Sequence, residues 1–179
     1  MVIETKRLLI RPTNMSDLDA IYEMLSDPVT MKYFVEGTYS KSKVKEIINR
    51  NMKETHHFTV LLKSSNRVVG KISYNPWFAP RTMEIGWIFF QTATNKGYCT
   101  EAAKSILKYA FEVKKIHRLV ATCDPRNIAS VRVCEKLKMK KEGFFKECIY
   151  VSKDEWWDEY FYSLLEKDYY NELSDSQEE

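Results

Sequence analysis

The chain has 179 residues, enough for one domain or one domain with a small extension. Its 44% hydrophobic content, with aromatics making up 13% of the chain, supplies a substantial core, and with 30% charged residues this excludes a disordered or fibrous chain. The net charge of +3 includes four acids without a base at the very end (Glu172, Asp175, Glu178 and Glu179), so the remainder is mildly basic, which suits a phosphorylated small ligand. No block of five or more bases marks a nucleic-acid surface.

Leu8-Leu9-Ile10, flanked by Arg7 and Arg11 and closed by Pro12, reads as a short strand. A helix starts at Ser16-Asp17, with Leu18, Ile21, Tyr22 and Leu25 at helical spacing, and Pro28 ends it. A second helix fits 40–53, with Val44, Ile47, Ile48 and Met52 on one face. The period then changes to that of strands: 58–63, a turn at 64–67, and 68–74 as a hairpin partner. Pro76 to Pro80 is a loop carrying Trp77 and Phe78. The run Met83 to Phe90, apolar at nearly every position, predicts a central strand covered on both faces. Gly97 to Val113 is the clearest helix, with Ala102, Ala103, Ile106, Leu107, Ala110 and Phe111 in one stripe. A strand at 119–123, a turn at Asp124–Asn127, a helix at 128–138 and two strands near 140–151 and 157–166 complete the order. A strand-helix-strand unit from Met83 to Cys123 implies one parallel pair with a right-handed crossover. The expected fold is therefore α/β, a mixed and mostly antiparallel sheet of about seven strands with helices on both faces, formed by residues 1–170 as a single domain. Residues 171–179 read as an acidic, flexible tail.

Between the central strand and the long helix stands Asn95-Lys96-Gly97-Tyr98-Cys99-Thr100. A glycine at a helix N-terminus leaves backbone N–H groups pointing outward, and these, with the helix dipole, favour an anion such as a phosphate. A plain helix start, with Gly serving only the turn, is the bland alternative. The four cysteines, Cys99, Cys123, Cys134 and Cys148, form no CxxC pair, and there are only three histidines, so a metal site is not expected and reduced thiols are. The N-terminus carries no signal-peptide core and no apolar run approaches a membrane span, which points to a soluble, cytoplasmic protein.

Four stretches together resemble the GNAT superfamily of acetyl-CoA-dependent N-acetyltransferases, in the branch of the ribosomal-protein N-terminal (Rim-type) enzymes. They are Glu4 to Pro12, Met83 to Phe89, Lys96 to Ala102, and Asn127 to Leu137, spanning residues 4 to about 166. The third and fourth, at their separation, are the specific ones. Two departures stand out. The family's phosphate turn usually reads Gln/Arg-x-x-Gly-x-Gly/Ala, and here Thr94 and Cys99 hold the first and last positions while Gly97 is retained. Many members carry a Tyr seven residues after the Asn; here that position is Cys134, and the resemblance points instead to Ser130.

The resemblance implies transfer of an acetyl group from acetyl-CoA to a primary amine, on a peptide N-terminus or a small molecule, by direct attack. The N–H groups from Asn95 to Thr100, with the Thr100 hydroxyl and Lys96, would hold the phosphates. Trp87, Ile88 and Phe89 would pair with the pantetheine arm and polarise the thioester. Asn127 and Ser130, one helical turn apart, would meet the leaving sulfur, with Cys134 a turn further on. Asn127 is equally suited to capping its helix, and Cys134 to packing the core. Glu84, in a strand with apolar neighbours, is the candidate base; Glu147 and a water chain are the alternatives. Tyr33, Phe34, Trp77, Phe78, Tyr150, Trp156 and Trp157 could form an aromatic wall for the acceptor or belong to the core, and Asp158 reads as structural. The loop near Trp77 could serve an interface between two copies of the chain. A non-catalytic acyl-CoA-binding module of the same fold is the alternative function. Neither a membrane nor a nucleic-acid partner is expected.

Overall fold

The computed structural model describes residues 1–54 and 56–175. They form two compact units that interleave along the chain: Met1–Tyr74 with Gly86–Ser105, and Asn75–Ile85 with the chain from Ile106 onward.

In the first unit five strands follow one another as hydrogen-bonded neighbours: β1 (Ile3–Glu4), β2 (Leu8–Pro12), β3 (His57–Leu62), β4 (Val68–Pro76) and β5 (Thr82–Phe89), the last through its Gly86–Phe89 half. β2 and β3 pair antiparallel, with Leu8 opposite Leu62, Ile10 opposite Val60 and Pro12 opposite Phe58. Alternation then sends Leu8, Ile10, Phe58, Val60 and Ile72 into the core, each at most 2% exposed. Burial of such a side chain contributes ~1.5–3 kcal/mol. β1 adds an eighth strand to the expected seven: Ile3 pairs with Ile10 and Glu4 with Leu9, a piece too short to show periodicity.

The entry to helix α1 (Leu18–Leu25) is tightly specified. Asn14 Oδ1 accepts from the Ser16 N–H at 2.9 Å, and Asp17 Oδ2 accepts from the Asn14 N–H at 3.0 Å, a reciprocal capping box. Asp17 also takes both ends of the Arg11 guanidinium, at 2.8 and 2.7 Å, and the Thr59 hydroxyl at 2.8 Å. Helix α2 (Lys41–Glu54) packs on α1 through Val44 and Ile48, in a cluster with Ile21, Leu25 and Met31. Asn51 continues that buried face, whereas Met52, expected on it, is exposed.

In the second unit the order is β5 (its Thr82–Ile85 half), β6 (Arg118–Cys123), β8 (Glu155–Leu165), β7 (Lys140–Ser152). β5 and β6 are the expected parallel pair, with Thr82 opposite Arg118 and Glu84 opposite Val120. β8 runs antiparallel to both β6 and β7. β5 is less covered than its apolar sequence suggests: only Thr82 and Ile85 are buried, and Met83, Glu84, Trp87, Ile88 and Phe89 are half-buried.

Helix α3 (Tyr98–Lys108) continues into a π-helical turn at Tyr109–Val113. All six residues of its expected stripe are buried. Helix α4 (Ile128–Lys136) follows β6, and α5 (Glu166–Asp175) closes the described chain, reaching five residues into the segment expected as a tail. Tyr169 of α5 stacks on Phe111 at 4.8 Å between ring centroids. Residues 176–179 lie outside the described residues. Among the described residues no helix is long and apolar enough to cross a membrane.

Candidate active site

The turn from Asn95 to Thr100 lies wholly in the first unit. Asn95 has φ 58° and Gly97 φ 76°, so the chain alternates through the left-handed region on either side of Lys96. Successive N–H groups in such an alternation converge on a concavity suited to an anion. Glu101 is where the helical ladder begins, its N–H donating to the Gly97 carbonyl at 2.9 Å. The N–H groups of Tyr98, Cys99 and Thr100 precede that ladder and have no intrahelical acceptor.

Residues from the N-terminal strand region hold this turn. The Arg7 guanidinium donates to the Lys96 carbonyl at 2.9 Å and to Glu101 Oε2 at 2.6 Å. The Arg7 N–H and the Thr5 hydroxyl both donate to Glu101 Oε1, at 2.9 and 2.6 Å. Arg7 also lies over the Tyr98 ring, 4.6 Å from its centroid. Burial pushes the Glu101 carboxyl up, but the bonds from Thr5 and Arg7 outweigh it and hold the group below the ordinary carboxylate range. Thr5 and Arg7 lie in the stretch Glu4 to Pro12 and Glu101 in the stretch Lys96 to Ala102, but no local pattern links the two. At the two departures, the Thr94 hydroxyl donates to the Gln91 carbonyl at 2.7 Å, and Cys99 is half-buried with its thiol pushed up by burial.

Trp87, Ile88 and Phe89 stand in the same unit, half-buried on β5. Gly70 of β4 is tightly apposed to them: a Cβ there would come within 2.6 Å of the Phe89 ring and 2.7 Å of the Ile88 carbonyl. Only glycine lets β4 lie this close to the strand.

Glu84, Asn127, Ser130 and Cys134 belong to the second unit. Glu84 is half-buried; burial raises its carboxyl, and the Glu159 carboxylate raises it further. Asn127 caps α4, its Oδ1 accepting from the Ser130 N–H at 3.2 Å. The cap uses only the oxygen, so the amide NH₂ retains its donors. Ser130 is half-buried one turn into the helix. Cys134 is fully buried, and its thiol hydrogen-bonds the Cys123 sulfur, which lowers the Cys123 thiol against the effect of burial.

Glu147 is exposed at a bulge in β7, with φ 49°, and its N–H donates to Asp158 Oδ1 at 2.7 Å. Asp158 thereby holds the bulge. The candidate aromatic residues make several separate contacts. Phe34 packs on the α1–α2 core. Trp77 meets Phe78 and Phe161, Tyr150 meets Trp156, and Trp157 lies under Arg126, 4.7 Å from its guanidinium carbon. A cleft of about 120 Å³ runs between Asp124, Arg126, Trp156, Trp157 and Asp158. Asp124 and Arg126 close one side of it as an ion pair at 2.5 Å. Among the described residues no group of three His, Cys, Asp or Glu side chains is arranged to hold a metal ion.

Residues 7–140 match the protein family described as an acetyltransferase (GNAT) domain. A Bacillus subtilis (strain 168) protein named as an uncharacterized N-acetyltransferase, YnaD, is 44% identical over 170 residues, covering 94% of this chain and 99% of its own. The crystal structure of a GNAT-family acetyltransferase from Bacillus anthracis superposes with a TM-score of 0.89 at 44% identity, covering 93% of this chain and 99% of that one. A spermidine N-acetyltransferase from Vibrio cholerae, solved with CoA and spermine, shares the fold at a TM-score of 0.81 and 20% identity, covering 93% of this chain and all of its own.

Proposed function

The chain belongs to the GNAT acetyltransferase family, and from that premise we propose that it transfers an acetyl group from acetyl-CoA to a primary amine by direct attack on the thioester. The observation that carries this reading is the turn at Asn95–Thr100. Its left-handed residues and the unpaired N–H groups at the start of α3 suit a diphosphate, and Arg7 pins the Lys96 carbonyl from behind. Main-chain donors do this work, so Thr94 and Cys99 at the turn's first and last positions are compatible with it.

The proposed roles divide between the units. In the first, residues Asn95 to Thr100 hold the phosphates, and the backbone of Trp87, Ile88 and Phe89 pairs with the pantetheine arm and donates to the thioester carbonyl. In the second, Glu84 takes the proton of the attacking amine; burial and the Glu159 carboxylate raise its pKa, which makes it a stronger base than an exposed glutamate. The amine nitrogen bonds to the acetyl carbon, the C–S bond breaks, and the sulfur leaves as thiolate. The Ser130 hydroxyl and the Asn127 amide donate to that sulfur as its charge develops. Cys134, buried a turn beyond Ser130, backs this helix face. Cys99 has a raised pKa and Cys134 is fully buried, so neither suits an acyl-enzyme route, and direct attack needs no covalent intermediate. We place residues 1–170 in one catalytic domain, since the family match crosses both units, and the protein in the cytoplasm, where its four free cysteines stay reduced.

The test is loss of thioester absorbance with a panel of primary amines, checked by the mass of the acetylated product. Amine-dependent turnover that forms one N-acetyl product per CoA released supports the reading. Tight CoA binding with no turnover of any amine would instead favour the non-catalytic acyl-CoA-binding module.

A further inference from the structure

Four residues form one row across the first unit's strands. Arg11 of β2 is opposite Thr59 of β3, and Thr59 is opposite Lys71 of β4. Gly70 lies against Phe89, and Ser73 lies beside Gly86, so Lys71, between them, stands opposite Ile88 of β5. Directly opposed residues of neighbouring strands share a face. Two cations therefore stand on one face of this sheet, and they are treated differently. Arg11 has its carboxylate: Asp17 meets it through two bonds at 2.8 and 2.7 Å. Lys71, half-buried, has none, and no acid among the described residues acts on it.

His57 belongs to the same face, since it pairs with Ser73, two residues from Lys71 on β4. Its Nδ1 is buried and has no hydrogen-bond partner. Burial, then the charges of Lys71, His56 and Arg50, push the imidazole down to about 4, so it is neutral near pH 7. Burial alone brings Lys71 down to about 8, which leaves it mostly protonated there. Lysine is rarely buried without an anion, because an unmet charge in a poorly hydrated place is costly. Here the cation and a neutral imidazole share one face, the charges of His56 and Arg50 also act on the imidazole, and no acid among the described residues acts on either group, beside the β5 residue assigned to the thioester arm.

We propose that Lys71 and His57 form a subsite for an anionic group, carboxylate or phosphate, carried by the acceptor amine. This rests on the acetyl-transfer reading above and narrows its acceptor class. The ammonium supplies the charge, the imidazole N–H a directed hydrogen bond, and the amine of the same molecule is left to react. A polycation such as a polyamine is disfavoured on this face, because it would meet Lys71 and the Arg50 side of the cluster with like charge.

The experiment compares matched amines with acetyl-CoA and the full-length protein: phenylalanine against phenethylamine, phosphoethanolamine against ethanolamine, and spermidine alone. The expected result is a preference of about 10- to 100-fold in kcat/KM for the anion-bearing member of at least one pair, expressed mainly in KM. The pair that shows it separates carboxylate from phosphate. Lys71→Met, or Lys71→Gln if that variant does not fold, should collapse the preference toward one by raising KM for the anionic member. Turnover without any such preference, a preference for spermidine, or an equal loss on both members of a pair in the variant would overturn the proposal. Turnover of none of these amines would strike the acetyl-transfer reading on which it stands, a result distinct from turnover without preference.

Discussion

The Arg7 guanidinium reaches Glu101, 94 residues further along the chain, at 2.6 Å, and with the same fork donates to the Lys96 carbonyl at 2.9 Å. One side chain thus ties the N-terminal strand region to both the Asn95–Thr100 turn and the first turn of α3. Arg7 is 43% exposed, so the ion pair itself adds little to global stability, less than about 1 kcal/mol. Its value lies in holding the Lys96 peptide between two left-handed residues.

Arg7→Ala should therefore weaken CoA binding more than it weakens folding. We expect a rise of about 5- to 30-fold in Kd by calorimetry, equivalent to about 1–2 kcal/mol, with a urea midpoint close to wild type. Unchanged affinity with lowered stability would assign the contact to folding alone.

Asn127→Ala and Ser130→Ala separate capping from chemistry. Removing the Asn127 cap should cost about 1 kcal/mol of stability by urea denaturation. Ser130→Ala leaves the cap's acceptor in place, so its effect should fall on kcat, about 10- to 1,000-fold, with CoA affinity near wild type. A Ser130→Ala enzyme with full kcat would remove that hydroxyl from the mechanism.

Glu84 makes a pH prediction. Its folded pKa is raised, first by burial and then by Glu159. In its proposed role the carboxylate form is the base, so kcat/KM should climb as pH rises through a value above the ordinary 4.5 of glutamate. That limb should move down in Glu159→Gln, which removes the repelling charge, and disappear in Glu84→Gln. An acid limb that survives Glu84→Gln would pass the role to Glu147 or to water.

Asp17 makes a stability prediction of opposite sign. Burial pushes its carboxyl up, but Arg11, the Asn14 N–H and Thr59 outweigh it, and the folded pKa lies below the ordinary 3.8. The stability it contributes is present above that ordinary value and is lost as pH falls through the lowered one. Asp17→Ala leaves Arg11 and the Thr59 hydroxyl without their acceptor and should cost about 3–5 kcal/mol at pH 7, by urea denaturation. A loss that does not shrink on acidification would contradict this.

How much of this was legible in the sequence depended on the range of the interaction. The stripe of α3 was readable because six apolar residues repeat at helical spacing, and all six are buried. The Gly97 turn and the Asn127 cap were readable because each is set by neighbours within three or four residues. β1 was not, because two residues carry no period. Asn51 displaced Met52 from the buried face of α2, since helical phase rather than hydrophobicity decides which side chain turns inward. Arg7 meets Glu101 of α3, 94 residues away, and Arg11 meets Thr59 across paired strands, so no local pattern announces either. Lys71 is one polar residue within the strand 68–74, and only the register shows that its row-mate Arg11 has a carboxylate while it does not.

The central claim is that main-chain donors around Gly97 grip a diphosphate. Calorimetric titration of the protein with CoA and, separately, with pantetheine tests it most directly, because pantetheine keeps the thiol arm and lacks the diphosphate. The account predicts one CoA site per chain and pantetheine binding weaker by about 100-fold or more, the scale of two charge-assisted hydrogen bonds. Pantetheine bound as tightly as CoA, or no heat with CoA at all, would contradict it.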